Sequence, residues 1–238
     1  MGPDHTSTLH TVNNLGLLYM DQGKLDEAEK MYQRALQGYE KAWGSDHTST
    51  LSTVNNLGIL YKSKGMLKEA ERMYQRALQG YVKAWGRDHI STLSVVNNLG
   101  ILYKSEGRLN EAEKMYQRAL QGYENACGRD HTSTLSTVNN LGLLYQSQGK
   151  PDEAKNMYQR ALQGYEKALG LENVERYRPA LNTILNLGDL FAAQGHPDKA
   201  KRMYSRARTG FQALLGPSSD VCLHLERSIT SLDLTQSK

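Results

Sequence analysis

The 238-residue chain is poor in cysteine and has no long apolar segment. Its two cysteines, Cys127 and Cys222, lie in unrelated contexts without CxxC spacing, so we expect neither a disulfide framework nor a cysteine-based zinc site. No apolar run approaches the length of a membrane span, and the first residues lack the apolar core of a signal peptide. We therefore expect a soluble cytoplasmic protein that has no contact with a membrane.

An excess of charge of one sign is also absent. The net charge is +4, and acidic and basic residues alternate along the chain. Nucleic-acid binding is not expected, because that activity calls for a clustered basic surface with interleaved aromatic residues. The chain contains no phosphate-binding loop, no zinc-ligand spacing and no pairing of a nucleophile with a base. We therefore expect a protein that is not an enzyme and has no cofactor or metal.

The dominant feature is a motif that recurs every 42 residues, and its near copies begin at four equivalent histidines. Self-similarity at a fixed period predicts a solenoid, in which each unit buries its apolar face against its neighbours. The repeats are expected at about 5–46, 47–88, 89–130, 131–172 and, in degenerate form, 173–217. Residues 1–217 then form one array, and residues 218–238 form a capping helix and a tail. Gly2-Pro3-Asp4-His5 matches the junctions between repeats. The preferred interpretation is a piece of a longer protein, and the alternative is a natural protein whose first repeat starts at this junction.

The spacing of apolar residues predicts two helices in each repeat. In the first repeat, Leu9, Val12, Leu15 and Tyr19 form one apolar helical stripe, and a second stripe runs from Ala28 to Trp43. Gly23 separates the two helices. Gly16 lies within the first helix, where glycine costs about 1 kcal/mol relative to alanine. Its recurrence in every repeat predicts a close approach of the paired helix at this position.

The pattern Leu15-Gly16, Tyr19, Ala28, Tyr32 and Ala35 resembles the tetratricopeptide repeat (TPR). The length of 42 residues, the NNLG segment and the glycine-x-Asp-His junction resemble the kinesin light chain and nephrocystin-like type. Near-identical tandem copies also resemble the C-terminal arrays of fungal STAND receptors (NB-ARC or NACHT type). The resemblance implies an all-α, right-handed superhelical solenoid of about five helical hairpins with a C-terminal capping helix. It also implies that the first helix of each hairpin lines a concave groove.

Paired asparagines occupy the expected groove side of the first helices, although asparagine is a poor residue for the middle of a helix. Their amides can donate and accept hydrogen bonds, as the backbone of an extended peptide requires. By resemblance to kinesin light chains, in which similar asparagines hold cargo peptides, the leading contacts are Asn14, Asn56, Asn98 and Asn140. In the alternative interpretation, one asparagine of each pair bonds the adjacent hairpin. The full set of predicted peptide-binding residues is Asn13, Asn14, Asn55, Asn56, Asn97, Asn98, Asn139, Asn140, Asn186, Ile59, Ile101, Leu143, Lys62 and Lys104.

Two further rows of equivalent residues have two interpretations each. The histidines His5, His47, His89 and His131 have acidic neighbours, but residues in successive hairpins lie roughly 10 Å apart. That distance is too long for a shared metal, so we expect these histidines to bond near the helix starts. A row of arginines on the second helices is expected to be a solvated convex face, or else a surface for phosphate or acidic partners: Arg34, Arg76, Arg118, Arg160 and Arg206.

The sequence therefore predicts a non-catalytic scaffold that binds an extended peptide or partner segment in its groove. An alternative of a different class is the ligand-sensing or assembly arm of a larger STAND-type receptor. Because the copies are nearly identical, self-association of the chain through its solenoid ends is a further alternative.

Overall fold

The computed structural model describes residues 6–236, and all regular structure in this range is helical. The described helices are α1 (Thr6–Asp21), α2 (Leu25–Trp43), α3 (Thr48–Ser63), α4 (Leu67–Trp85), α5 (Ile90–Ser105), α6 (Leu109–Cys127), α7 (Thr132–Ser147), α8 (Pro151–Leu169), α9 (Leu171–Val174), α10 (Arg178–Ala193), α11 (Pro197–Leu215) and α12 (Asp220–Gln236). The predicted all-α class with tandem helical hairpins is confirmed. The predicted junction at Gly2-Pro3-Asp4-His5 lies outside the described residues.

Each turn within a hairpin is closed by a glycine with a positive φ angle, as Gly65 illustrates (φ +75°). The Met66 N–H donates to the Tyr61 carbonyl at 2.8 Å, and the Gly65 N–H donates to the Lys62 carbonyl at 3.0 Å. This pair of bonds is the Schellman arrangement, which requires a left-handed residue at the end of the helix. The next helix begins two residues later, so the two helices of a hairpin are antiparallel.

The contacts divide the chain into two compact units, Met1–Gly122 and Tyr123–Lys238. In the first unit, α1 packs on α2, α3 packs on α4, and each second helix packs on the first helix of the next repeat. Leu9, Val12, Ala35 and Tyr39 form the core of the first hairpin. A second cluster joins Ala28 and Tyr32 of the first repeat to Leu57 and Leu60 of the next.

In the second unit, α7 packs on α8, α10 packs on both α8 and α11, and α12 packs on α11. The one-turn helix α9 occupies the insertion that precedes the last hairpin, and its Val174 is completely buried. On α12, Cys222 and Leu225 are buried, whereas Leu223 is 39% exposed. The last helix therefore covers α11 with one side only.

The predicted close approach at the helix glycines is present. A Cβ atom on Gly58 would lie 2.6 Å from Cε1 of Tyr74, and one on Gly100 would lie 2.7 Å from Cδ1 of Tyr116. Real Cβ atoms do not approach other heavy atoms this closely, so the second helix packs directly against the glycine backbone. Across residues 6–236, no helix is both long and apolar enough to cross a membrane.

Candidate functional site

A shallow groove of about 310 Å³ lies in the first unit, on the side of the predicted asparagine face. Of the predicted binding residues, only Asn13 lines it. The other lining residues include Tyr39, Tyr81 and Trp85 from the second helices and Ser52 and Thr53 from α3. Sequence analysis missed these aromatic residues as groove residues. The available signal was the pairing of aromatic residues four positions apart near the ends of α2 (Tyr39 and Trp43) and α4 (Tyr81 and Trp85).

The first asparagine of a pair acts as a hydrogen-bond acceptor between repeats. Oδ1 of Asn13 accepts a hydrogen bond from the Thr53 hydroxyl at 3.1 Å. Oδ1 of Asn55 accepts one from Nδ2 of Asn98 at 3.0 Å. In the second unit, Oδ1 of Asn139 accepts from both the Thr183 hydroxyl and Nδ2 of Asn186. These bonds correspond to the alternative in which one asparagine of each pair joins adjacent hairpins.

The second asparagine of a pair retains more bonding capacity. Asn98 and Asn186 each use one amide hydrogen, and no described residue donates to their Oδ1 atoms. The exposed side chain of Asn14 and the half-buried side chain of Asn56 make no hydrogen bond with any of residues 6–236. Asn97 and Asn140 each have an interaction partner. Free amide capacity in the first unit is therefore concentrated at Asn14, Asn56 and Oδ1 of Asn98, and Oδ1 of Asn186 is its counterpart in the second unit.

Apolar and basic side chains flank the asparagines one turn further along the first helices. Ile59 is 37% exposed, and Ile101 and Leu143 are half-buried. Lys62 and Lys104 are half-buried, and neither has an acidic group within ion-pair distance in the described part of the chain. Burial lowers the pKa of Lys104. This lysine therefore lacks the carboxylate that stabilises most other half-buried basic groups of the chain.

A row of bonds connects the groove floor to the second helices. The Tyr39 hydroxyl lies 3.0 Å from Nδ1 of His10, and the Tyr165 hydroxyl lies 2.9 Å from the Ser136 hydroxyl. Burial raises the pKa of Tyr39 and raises the pKa of Tyr165 to about 12. Because these phenols stay protonated, their bonds help to fix the orientation of the first helix in these two hairpins.

The histidines are N-caps of the first helices. Nδ1 of His47 accepts a hydrogen bond from the Ser49 N–H at 3.2 Å, and His89 and His131 make the same bond. The ring of His89 also lies 4.3 Å from Trp85, whose other neighbour is the stacked ring of Tyr81. The expected role near the helix starts is confirmed at these three positions. His5 lies outside the described residues. Within residues 6–236, no cluster of three or more potential ligands could hold a metal ion.

Comparison with known proteins agrees with these features. A family model of the tetratricopeptide repeat matches residues 5–81 and 89–167, which is more than half of the chain. No curated protein sequence matches significantly. The solved structure of BtubC (BKLC) from P. vanneervenii is 25% identical with a TM-score of 0.70, and the match covers 87% of this chain and 81% of that one.

Two other solved structures are similar in fold. One contains the nearly identical TPR-like repeats of a kinesin light chain candidate from Podospora anserina. It is 22% identical with a TM-score of 0.66, over 88% of this chain and 97% of that one. The other is a Rap protein complexed with competence and sporulation factor. It is 15% identical with a TM-score of 0.73, over 96% of this chain and 66% of that one.

Proposed function

Since the chain belongs to the tetratricopeptide repeat family, we propose that it is a non-catalytic scaffold that binds an extended segment of a partner protein along its asparagine face. The observation that carries the proposal is the unused amide capacity of Asn14, Asn56 and Asn98 at equivalent positions of successive repeats. Mid-helix asparagines have a cost in helix stability, and hydrogen bonds between repeats account for only part of the set.

The spacing of these amides suits an extended peptide. Adjacent packed helices lie about 10 Å apart, and an extended chain advances about 3.3 Å per residue. One repeat therefore corresponds to about three residues of the ligand. In the first unit, the peptide backbone would bond to the amides, and its side chains would contact Ile59 and Ile101. Lys62 and Lys104 would lie beside Ile59 and Ile101, respectively. In the second unit, Leu143 occupies the equivalent position and would have the same role. The Rap structure, whose partner is competence and sporulation factor, is an example of a similar fold with a bound ligand.

The test is a peptide-display selection against the whole chain, run beside two double variants. Asn14→Ala/Asn56→Ala removes amides that have no partner among residues 6–236, so binding should fall about tenfold or more. The melting temperature should stay the same or rise, because alanine is the better helix former. The matched control, Asn13→Ala/Asn55→Ala, removes the acceptors of bonds between repeats and should lower the melting temperature. If the first variant keeps full peptide binding, the asparagine face is not the binding surface.

A second candidate function is self-assembly, and two exposed leucines of α1 favour it. Leu15 is 37% exposed and Leu18 is 49% exposed, whereas their equivalents Leu57 and Leu60 are 2% and 0% exposed. The second helix of the preceding repeat covers Leu57 and Leu60. The surface at Leu15 and Leu18 would take a similar helix from another molecule. An assembly arm of a larger STAND-type receptor would use the same surface. That alternative role stays a prediction.

Sedimentation equilibrium distinguishes this candidate from peptide binding. Leu18→Lys should abolish any concentration-dependent association of the chain. Leu17→Lys is the matched control, because Leu17 is 44% exposed but lies at the position of Ile59 on the asparagine face. This control should keep the association and weaken peptide binding instead. A chain that is monomeric at all concentrations would exclude self-assembly through this end.

A further inference from the structure

The arginine row of the second helices is a ladder of ion pairs between repeats. Arg76 pairs with Glu40, and Arg160 pairs with Glu124. Arg206 pairs with Glu166 at 2.8 Å. In each pair, the glutamate belongs to the second helix of the preceding repeat. The expected solvated face therefore consists largely of arginines that a carboxylate of the chain already neutralises.

The ladder is interrupted at Arg118. Val82 occupies the position that Glu40, Glu124 and Glu166 occupy in the other repeats. Nη2 of Arg118 is buried and has no hydrogen-bond partner among the described residues. A buried guanidinium nitrogen without a partner is costly, and such groups are rare in native proteins. Burial and the nearby charge of Arg87 lower the pKa of Arg118, and the carboxylate of Asp88 acts in the opposite direction.

The next repeat contains the same pair of arginines with the carboxylate in place. Glu124 contacts Arg160, and Nε of Arg129 lies 3.7 Å from the same oxygen. Arg129 and Arg160 are the equivalents, 42 residues later, of Arg87 and Arg118. The complete site is thus two arginines around one carboxylate. At Arg87 and Arg118 the two arginines are present, but the chain supplies no glutamate.

The neighbouring acidic residue does not complete the site. Asp46 and Asp130 pair with Lys83 and Lys167, respectively. Asp88 lacks the equivalent lysine, because Asn125 occupies the position of Lys83 and Lys167 in this repeat. Asp88 is exposed, and neither Arg118 nor Arg87 lies within ion-pair distance of it. Arg87 is also exposed, so an incoming acidic group can reach this end of the site from the solvent.

We propose that Arg87 and Arg118 form a carboxylate-binding site on the second helices, which an acidic side chain of a partner protein completes. The chemistry of the ligand follows from the chain itself, because a glutamate completes the same pair of arginines in the next repeat. Arginine favours this ligand, since its planar guanidinium can donate two parallel hydrogen bonds to a carboxylate. The site lies apart from the asparagine face, so it does not depend on the proposed peptide binding.

The test observes the Nε–Hε groups of arginine by NMR in the full chain, with acetate as the carboxylate probe. Acetate should shift the Arg87 and Arg118 signals in a saturable manner, and chloride at equal ionic strength should not. Val82→Glu supplies the missing carboxylate and should weaken acetate binding at this site at least about tenfold. Val82→Gln is the control, because it has a similar size without the charge and should leave the response in place.

The converse variant should create a second site. Glu124→Val removes the carboxylate between Arg129 and Arg160, so these two arginines should gain a saturable response to acetate. An unchanged acetate response in Val82→Glu would overturn the proposal. A response in the native chain that does not saturate, or that chloride reproduces, would also overturn it. Melting curves of all variants confirm that each one is folded.

Discussion

At the scale of single residues, helix glycines and capping histidines determine how the two helices of a hairpin meet. Gly100 allows the ring of Tyr116 to lie directly against the backbone of α5. His89 accepts the Ser91 N–H and places its ring against Trp85. The glycine–tyrosine contact recurs in every hairpin, and the histidine cap recurs at His47 and His131.

Replacement of one helix glycine should test the packing. Gly100→Ala places a methyl group 2.7 Å from Cδ1 of a tyrosine that is 1% exposed. Overpacking costs about 1–3 kcal/mol, and the gain in helix propensity of about 1 kcal/mol reduces this cost. The free energy of unfolding in urea should therefore fall by up to about 2 kcal/mol. Gln79→Ala, at an exposed helix position, should cause no loss. A more stable Gly100→Ala variant would contradict the packing assignment.

Replacement of one capping histidine should separate capping from ring packing. His89→Ala removes the acceptor of the Ser91 N–H, which is expected to cost about 0.5–2 kcal/mol. His89→Asn retains a capping oxygen and should restore most of the stability. Urea unfolding of the two variants provides the comparison. If both variants lose the same free energy of unfolding, then contact with Trp85, and not the cap, is the main contribution of His89 to stability.

At the scale of helices, coverage by the preceding repeat decides how much an apolar side chain contributes. Leu15 and Leu57 occupy equivalent positions, but only Leu57 is covered by a preceding second helix. We expect Leu57→Ala to cost about 2–5 kcal/mol and Leu15→Ala to cost clearly less. Chemical denaturation at low protein concentration measures both values without a contribution from association. Similar losses of unfolding free energy in Leu57→Ala and Leu15→Ala would mean that another group covers Leu15 in solution.

The sequence predicted the helices well because the apolar stripes and the glycine turns repeat almost unchanged. It also predicted the close approach at Gly16 and the position of the histidines at the helix starts. The one-turn helix α9 was not predicted, because its four residues are too few to establish a helical pattern. The bonding of the asparagines was left open, because the sequence does not reveal which amide of a pair faces the next hairpin. The gap in the ion-pair ladder at Val82 became meaningful only once Arg76, Arg160 and Arg206 were seen with their partners.

At the scale of the whole molecule, buried tyrosines make stability sensitive to alkaline pH. Burial raises the pKa of Tyr32 to about 12, and it raises the pKa of Tyr74, Tyr116 and Tyr158 further. The ordinary value in an unfolded chain is about 10. The folded state therefore binds more protons than the unfolded state above pH 10. This contribution to stability is complete below about pH 10 and is lost as the pH rises through the folded-state values.

We expect the free energy of unfolding in urea to decrease steeply between about pH 10 and pH 12. Each buried tyrosine should contribute at most about 1.4 kcal/mol per pH unit to the slope of the free energy of unfolding against pH. Ultraviolet absorbance of tyrosinate, followed in parallel, should show these side chains ionising together with the loss of helical circular dichroism. Tyrosines that ionise near pH 10 while the helices persist would contradict their burial.

The junctions of the first unit have a genetic consequence. The helix α2 meets α3 through the same residue types with which α4 meets α5, because the repeats are near copies. Recombination between two copies in the gene would delete or duplicate 42 codons and would rejoin surfaces that already fit. A lineage could thus lengthen or shorten its asparagine face by whole units, without passing through an unstable intermediate and without inventing a new contact.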